Sequence, residues 1–374
     1  MALNLGLVAR CLNTAHIRGM GKYVFELIKQ SENHSDIDWQ LFADDPSQPM
    51  TVPANARVTQ DVFEFKGDRF YLWEQLGLPL RALKNNIDIL HCTESTLPLW
   101  QPKPTVVTVH DTLMWDEPIE GKIAHSYLHK LMPIALDKCA AVITISESSK
   151  NDILKKWPKL ASKLTVIPHG IAEEYFDDDL PAIPQSVQAG IGHSPYIVYL
   201  GGPMERKRFD WALNVMAHTP HKSLKLVACG FGSDARDRAR ANLPVELANT
   251  VHFAEFLSDA ELLALYKNAQ AVFYPTLYEG FGFPAIEAQA AGVPVVFSAL
   301  GSLAELIGPL SMVVPAFDLE AWLNAVDQIL SLGEQRIEKA KAARAWAKNF
   351  TWSNSCEKHL DVYRQVARQS KLIK

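Results

Sequence analysis

Long apolar runs are missing from this chain. Nothing in it approaches the ~20 consecutive apolar residues of a membrane span, so no segment is expected to cross a bilayer. Cysteine is scarce. Cys11, Cys92, Cys139, Cys229 and Cys356 are scattered, without a CxxC pair or a His-rich neighbour, which argues against a disulfide framework and against structural zinc. Cys139 and Cys229 fall in apolar runs and are expected to be packing residues in strands. An excess of positive charge is also absent. Lys and Arg number 37 against 42 Asp and Glu, a net charge of -5 that gives nucleic acid no footing as a main partner. The opening "MALNLGLVA" lacks the charged start and length of a secretory signal and reads as a first strand, so the expected location is cytoplasmic.

Short apolar runs, in contrast, are plentiful, and 48% apolar residues among 374 are enough for two cores. "LNLGLVA", "WQLFA", "DILHC", "TVVTVH", "AAVITIS" and "KLTVIPHG" form one series, and "YIVYLGG", "LKLVACG", "TVHFAEF", "AVFYP", "VPVVF" and "SMVVP" a second. Runs of strand length separated by helical lengths predict parallel sheets covered by helices, hence two doubly wound α/β domains. Between the series lies "AEEYFDDDLPAIPQSVQAGIGHSP", acidic and rich in Pro and Gly. The predicted organisation is therefore a first domain over 1–171, a linker over 172–194, a second domain over 195–352, and a helix over 353–374 that packs back onto the first domain.

Ligands of such sheets sit beyond the carboxyl ends of the strands, and chemically useful residues do fall there: Gly19 and Gly21, His110 and Asp111, Ser146, Gly201 and Gly202, Gly230, and Glu279. "GMGKYVFELIKQ" is not a dinucleotide fingerprint. Val24 occupies the third glycine position, and ten residues separate Val8 from Gly19. The two glycines read either as turn devices or as a loop that leads an anion to the start of a helix over 22–30. No "GxxxxGK[ST]" and no "GxSxG" occurs, so neither a P-loop ATPase nor a covalent serine hydrolase is supported. Arg206 and Lys207, in "YLGGPMERKRFD", stand within a few residues of a strand end, as diphosphate neutralisation requires, although such a run also suits a solvated helix face.

"YEGFGFPAIEAQAAGVPVV" places Glu279 and Glu287 on either side of a turn. Pro284 suits the first turn of a helix that stops near Gly292, with Glu287 about one turn inside and Phe281, Gly282 and Phe283 at its open end. Carboxylates beside a helix start fit a polyhydroxylated diphosphate ligand better than a hydrolytic pair. His110 reads from its position alone as a proton donor, a hydroxyl partner or a structural group.

Together these motifs resemble glycosyltransferase family 4, whose retaining members have the GT-B fold. They are E-x7-E within "EGFGFPAIE", "AQAAGVPVV", "GMGKY", "WEQLGLP", "HD" at 110–111, "ISESSKNDI", "VIPHGI", "LKLVACG" and "GSLAELIG". The resemblance implies two Rossmann-like domains facing across a cleft. It also implies a donor nucleotide diphosphate sugar, with a UDP-sugar preferred over GDP-mannose, and an acceptor that is a saccharide or lipid-linked saccharide. No cofactor and no metal are expected. Under it Glu287 holds the donor ribose, Glu279 faces the transferred sugar, Lys207 grips the diphosphate with Arg206 as helper, and His110 lies beside the reacting sugar. Phe281, Gly282 and Phe283 contribute amide contacts, Gly19 and Gly21 approach the diphosphate, Phe256 and Leu257 border the base, and Glu305 is architectural. The family mechanism implied is front-face substitution with retention, in polysaccharide or glycolipid assembly.

The chain departs from the pattern at Gly202, where many relatives carry Arg, and at His169, where Asn is frequent. "FKGDRFYLWEQLGLPLRALKN" mixes basic and aromatic residues, so peripheral contact with the inner face of a membrane stays open beside a plain surface loop. A nucleotide-sugar epimerase on a related two-domain plan and a non-catalytic nucleotide-sugar-binding protein are the alternatives.

Overall fold

The computed structural model describes residues 2–15, 17, 19–64, 69–116 and 126–372. It divides into unit 1, Met1–Gly170 with Phe350–Lys374, and unit 2, Ile171–Asn349. The first part of the basic and aromatic segment noted above, 65–68, lies outside the described residues.

Unit 1 is built on seven parallel strands in the order β3-β2-β1-β4-β5-β6-β7. They are β1 (Leu3–Val8), β2 (Ile37–Ala43), β3 (Val58–Val62), β4 (Ile89–Cys92), β5 (Thr105–Thr108), β6 (Ala141–Thr144) and β7 (Leu164–Val166). Every residue of β4, β5 and β6 is buried, the condition that turns a strand into a continuous apolar run. The strand that the sequence does not announce is β3. "VTQDV" pairs with β2 at the edge and keeps its middle residues exposed, so nothing selects for an apolar run there.

Unit 2 has six parallel strands in the order β10-β9-β8-β11-β12-β13. They are β8 (Tyr196–Leu200), β9 (Lys225–Cys229), β10 (Val251–Phe253), β11 (Ala271–Tyr274), β12 (Val295–Phe297) and β13 (Ser311–Val313). In each sheet the chain starts centrally, winds one way and then reverses. The reversal falls between β1 and β4 in unit 1 and between β8 and β11 in unit 2, and outside these strand ends a doubly wound sheet offers its crevice.

Three expectations need correction. The segment 172–194 is not a free linker: it belongs to unit 2, carries a helix Gln185–Ile191, and is strapped down. Lys267 Nζ donates to the carbonyls of Asp177 and Asp179 at 2.8 and 3.0 Å, and Asn268 Nδ2 to that of Pro181 at 2.9 Å. Cys139 is not in a strand; it caps the helix Met132–Lys138, while Cys92 ends β4. Gly19 and Gly21 lie inside the first turn of a helix Gly19–Gln30. Gly21 is a packing glycine, since a Cβ there would come within 2.8 Å of the Cys11 carbonyl oxygen.

The last helix, Trp352–Leu372, joins unit 1 through a buried chain of hydrogen bonds whose direction can be derived. The Ser355 carbonyl can only accept, so His359 Nδ1 carries a proton and donates to it at 2.7 Å. In the neutral ring Nε2 then accepts, and the Tyr23 hydroxyl donates to it at 2.8 Å. Having spent its proton, Tyr23 accepts from Thr108 Oγ1 at 3.0 Å, and Thr108 accepts from His91 Nε2 at 2.8 Å. His91 Nδ1 finally accepts from the Tyr363 hydroxyl at 2.7 Å. Burial pushes the pKa of His359 down to about 4 and that of His91 well below the usual imidazole range, as neutral rings require.

Candidate functional site

Beyond β8 the chain turns at Gly201 and Gly202, and the Gly202 amide bonds the Cys229 carbonyl at 3.1 Å. Gly202 has φ +61°, and a Cβ there would overlap the carbonyl oxygen of Gly230. No side chain, Arg included, fits this loop without a shift of its backbone. Gly202→Ala is expected to destabilise the protein by about 2–4 kcal/mol; an unchanged urea midpoint would contradict this.

A 3₁₀ turn, Glu205–Lys207, then carries two cations back toward the end of β11. Both converge on one oxygen. Glu279 Oε1 lies 3.0 Å from Arg206 Nη1 and 2.6 Å from Lys207 Nζ, and accepts from Thr276 Oγ1 at 2.8 Å. Arg206 Nη1 also donates to the Tyr278 carbonyl at 2.7 Å, and Lys207 Nζ lies 5.3 Å from the centroid of the Tyr274 ring. Glu279 is 9% exposed, so two formal positive charges surround one negative charge in a largely dry place. Burial lowers the Lys207 pKa, with Glu279 opposing that shift, and burial together with Glu279 holds the Tyr274 hydroxyl well above the phenol range.

The turn after Glu279 is pinned by Ser302, whose hydroxyl lies 2.7 and 2.9 Å from the carbonyl oxygens of Glu279 and Phe281. Gly282, at φ +108°, then starts the helix Phe283–Ala290 with Pro284 in its first turn, so the positive end of the helix dipole follows closely in the chain on the Glu279 that the two cations meet. One turn in, Glu287 Oε2 accepts from the Tyr266 hydroxyl at 3.0 Å. Tyr175, from the former linker segment, packs its ring against Tyr266 with centroids 6.0 Å apart. Phe256, 67% exposed, and Leu257 lie in the turn between β10 and the helix Asp259–Asn268. Glu305 is exposed in a 3₁₀ turn, Gly301–Leu306, so its burial does not mark it as an architectural residue.

In unit 1, His110 follows β5 and donates through Nε2 to the Thr93 carbonyl at 2.8 Å. A carbonyl can only accept, so the neutral ring keeps its lone pair on Nδ1 and acts there as a hydrogen-bond acceptor. Burial lowers the His110 pKa, with the Thr93 carbonyl opposing. Its backbone is held by Ser95 Oγ, which accepts from the amide at 3.2 Å, and by Ser149 Oγ, which donates to the carbonyl at 2.9 Å. Asp111 Oδ1 accepts from the Leu113 amide, and Ser146 Oγ from the Ser149 amide, each at 3.0 Å, so both side chains start helices. His169 is buried against Tyr23 and Trp352, with centroids 5.0 and 5.5 Å away, so an aromatic stack takes up the ring that stands where Asn is frequent.

The residues that sequence reasoning omits are Thr276, Tyr266, Ser302 and Ser149. Thr276, three residues before Glu279 in the same turn, had a local signal. Tyr266 had none, because its partner lies 21 residues away on another helix.

Comparison with known proteins gives matches to two family models: the one described as Glycosyltransferase Family 4 over residues 17–175, and the one described as Glycosyl transferases group 1 over residues 185–346. The chain is 26% identical over 245 residues to D-inositol 3-phosphate glycosyltransferase of Corynebacterium urealyticum, covering 62% of this chain and 58% of that protein. It is 26% identical over 267 residues to O-antigen chain mannosyltransferase B of Escherichia coli, covering 69% and 70%. Among solved structures, sucrose-phosphate synthase from Thermosynechococcus elongatus superposes with a TM-score of 0.75 at 19% identity, over 97% of this chain and 99% of that one.

Proposed function

Since the chain belongs to glycosyltransferase family 4, with the GT-B fold, we propose that it moves a hexose from a nucleotide diphosphate sugar to a saccharide or lipid-linked saccharide hydroxyl, with retention of configuration. The observation that carries this reading is the convergence of Arg206 and Lys207 on Glu279 beside a helix start. An uncompensated positive charge in a dry site calls for an anion, and a leaving diphosphate supplies one whose charge grows in the transition state. Glu279 holds the cations in place and offers its second oxygen to the sugar hydroxyls. Glu287, with one oxygen fixed by Tyr266, takes the ribose hydroxyls, and the exposed ring of Phe256 borders the base. In unit 1, Nδ1 of His110 is left as an acceptor suited to a sugar hydroxyl. The acceptor class is carried from the Escherichia coli relative, which is named for the O-antigen chain.

The test is a thermal-shift screen of UDP-, GDP- and ADP-sugars, followed by a product assay on saccharide acceptors. One donor family should raise the unfolding midpoint, because selective binding to the native state stabilises it. No shift with any donor, together with no glycosidic product, ends this reading. Glu287→Ala is expected to weaken nucleotide binding by roughly tenfold or more, and Tyr266→Phe by about fivefold, the latter in KM rather than kcat. Titration calorimetry that finds Tyr266→Phe equal to the parent would remove its positioning role.

A further inference from the structure

Among the described residues, four that are not glycine have positive φ: Asn86, Ser95, Arg208 and Phe317. Two of the four touch each other, although they come from different loops of unit 2. The Arg208 guanidinium carbon lies 4.3 Å from the centroid of the Phe317 ring, and the two residues have φ of +52° and +61°. Left-handed backbone at a bulky residue costs energy and persists only where its surroundings hold it. Phe317 stands in the loop between β13 and the helix Leu319–Leu330 with 45% of its surface exposed, so burial does not hold it there. Its ring meets the guanidinium and, edge to face with centroids 5.3 Å apart, Trp211.

Arg206, Lys207 and Arg208 are three cations in a row. The first two reach Glu279, and the third is turned away from it. Arg208 Nε donates to Asp210 Oδ1 at 2.9 Å and Nη2 to Oδ2 at 2.5 Å, so its charge is met outside the cluster. The change of direction happens in one residue. Arg208 ends the 3₁₀ turn Glu205–Lys207, its amide donating to the Glu205 carbonyl at 3.0 Å, and its own carbonyl accepts from the Trp211 amide at 3.1 Å to start the helix Phe209–His218. Right-handed backbone at this position would run the turn straight into the helix and rotate Lys207, which precedes it. Lys207 has little room to rotate. A Cβ on Gly201 would come within 2.9 Å of the Lys207 Cβ, so the lysine stem sits tightly against the loop beyond β8, with its ammonium 2.6 Å from Glu279.

We infer that Phe317 is a positioning residue for Lys207: its ring, stacked on the Arg208 guanidinium, holds the left-handed backbone that aims the Lys207 ammonium at Glu279 and at the donor diphosphate. This rests on the reading of Lys207 as a diphosphate ligand. Phe317 acts through Arg208 and not on the ligand. Glycine takes positive φ without strain, so a chain with Arg208→Gly has no need of the stack. Dependence on Phe317 should then vanish, which a merely structural role of the ring does not predict.

The experiment is titration calorimetry of UDP, GDP and ADP against the full chain, with urea unfolding of the same variants. Phe317→Ala and Phe317→Leu are each expected to weaken the tightest-binding nucleotide by roughly threefold to tenfold. Adding Arg208→Gly to Phe317→Ala should bring its affinity back to within about twofold of the parent. The fall in urea midpoint caused by Phe317→Ala should likewise be smaller in the Arg208→Gly background. Parental affinity in both Phe317 variants overturns the inference, and so does a double variant that binds no better than Phe317→Ala or equal falls in midpoint in the two backgrounds. A parent that binds none of the three nucleotides brings down the diphosphate reading itself, and this inference with it.

Discussion

Lys207→Met is expected to lower kcat/KM by roughly 10²–10³-fold while leaving the fold intact. The two cations are used differently. Arg206 Nη1 is committed twice, to Glu279 and to the Tyr278 carbonyl, and so ties the β8 loop to the turn after β11. Lys207 has one short contact, 2.6 Å to Glu279, and a long one of 3.4 Å to the Tyr274 hydroxyl, so its three-proton ammonium keeps capacity for a ligand oxygen. Methionine preserves the stem that packs beside Tyr274, and Arg206 with Thr276 still satisfies Glu279. The loss should therefore fall on transition-state charge and be read in kcat, with a smaller rise in KM. Arg206→Met is expected to behave differently, lowering the unfolding midpoint as well as activity, because it releases the Tyr278 carbonyl and half of the Glu279 clamp. Activity of Lys207→Met within threefold of the parent would show that the ammonium does not meet the diphosphate.

Much of the fold was legible because its strands are buried on both faces. β4, β5, β6 and β11 are wholly buried, and such strands write themselves into the sequence as apolar runs. β3 is the exception for the same reason: at the edge Thr59 and Gln60 stay exposed, Asp61 pairs with Arg81, and no apolar run is left. Misplacement of Gly19 and Gly21 in a loop came from reading glycine as a turn signal. Here Gly21 lets a helix approach the Cys11 carbonyl, and that partner is visible only in three dimensions. The segment 172–194 misled through its composition. Proline and acidic residues read as a linker, whereas its backbone carbonyls are what Lys267 and Asn268 hold, and backbone carbonyls carry no sequence signature. At the site, the acidic pair and the two cations could be found from position after a strand. Their convergence on a single oxygen of Glu279 could not, since it depends on a 3₁₀ turn and on Arg208 adopting φ +52°, a conformation that arginine seldom takes.

Acid is expected to undo unit 1 between pH 6.5 and 4, and histidine is the cause. His359 titrates at about 4 in the folded protein because it is buried, against roughly 6.5 for an unfolded imidazole. The unfolded chain therefore takes up the proton first. The stability held by the neutral ring is complete above pH 6.5, falls as pH drops toward 4, and changes little below that. The difference is worth about 3 kcal/mol for His359 alone, and His91 and His169, whose pKa values burial also lowers, act in the same direction. Geometry sharpens the effect. A proton on His359 Nε2 would meet the Tyr23 hydroxyl, which already donates to that atom, and accommodating it would turn the Tyr23 proton toward Thr108, whose own proton then loses its acceptor. These bonds fasten the helix Trp352–Leu372 to Gly19–Gln30 and to β4 and β5, so the last helix should loosen first. Urea unfolding at pH 7.5, 6, 5 and 4, with hydrogen exchange followed along the last helix, measures both parts of the claim. His359→Gln can still accept from Tyr23 and cannot titrate, so it should flatten the pH dependence even if it lowers stability at pH 7.5. A midpoint that stays constant from pH 7.5 to 4, or a His359→Gln profile parallel to the parent, would remove this histidine from the account.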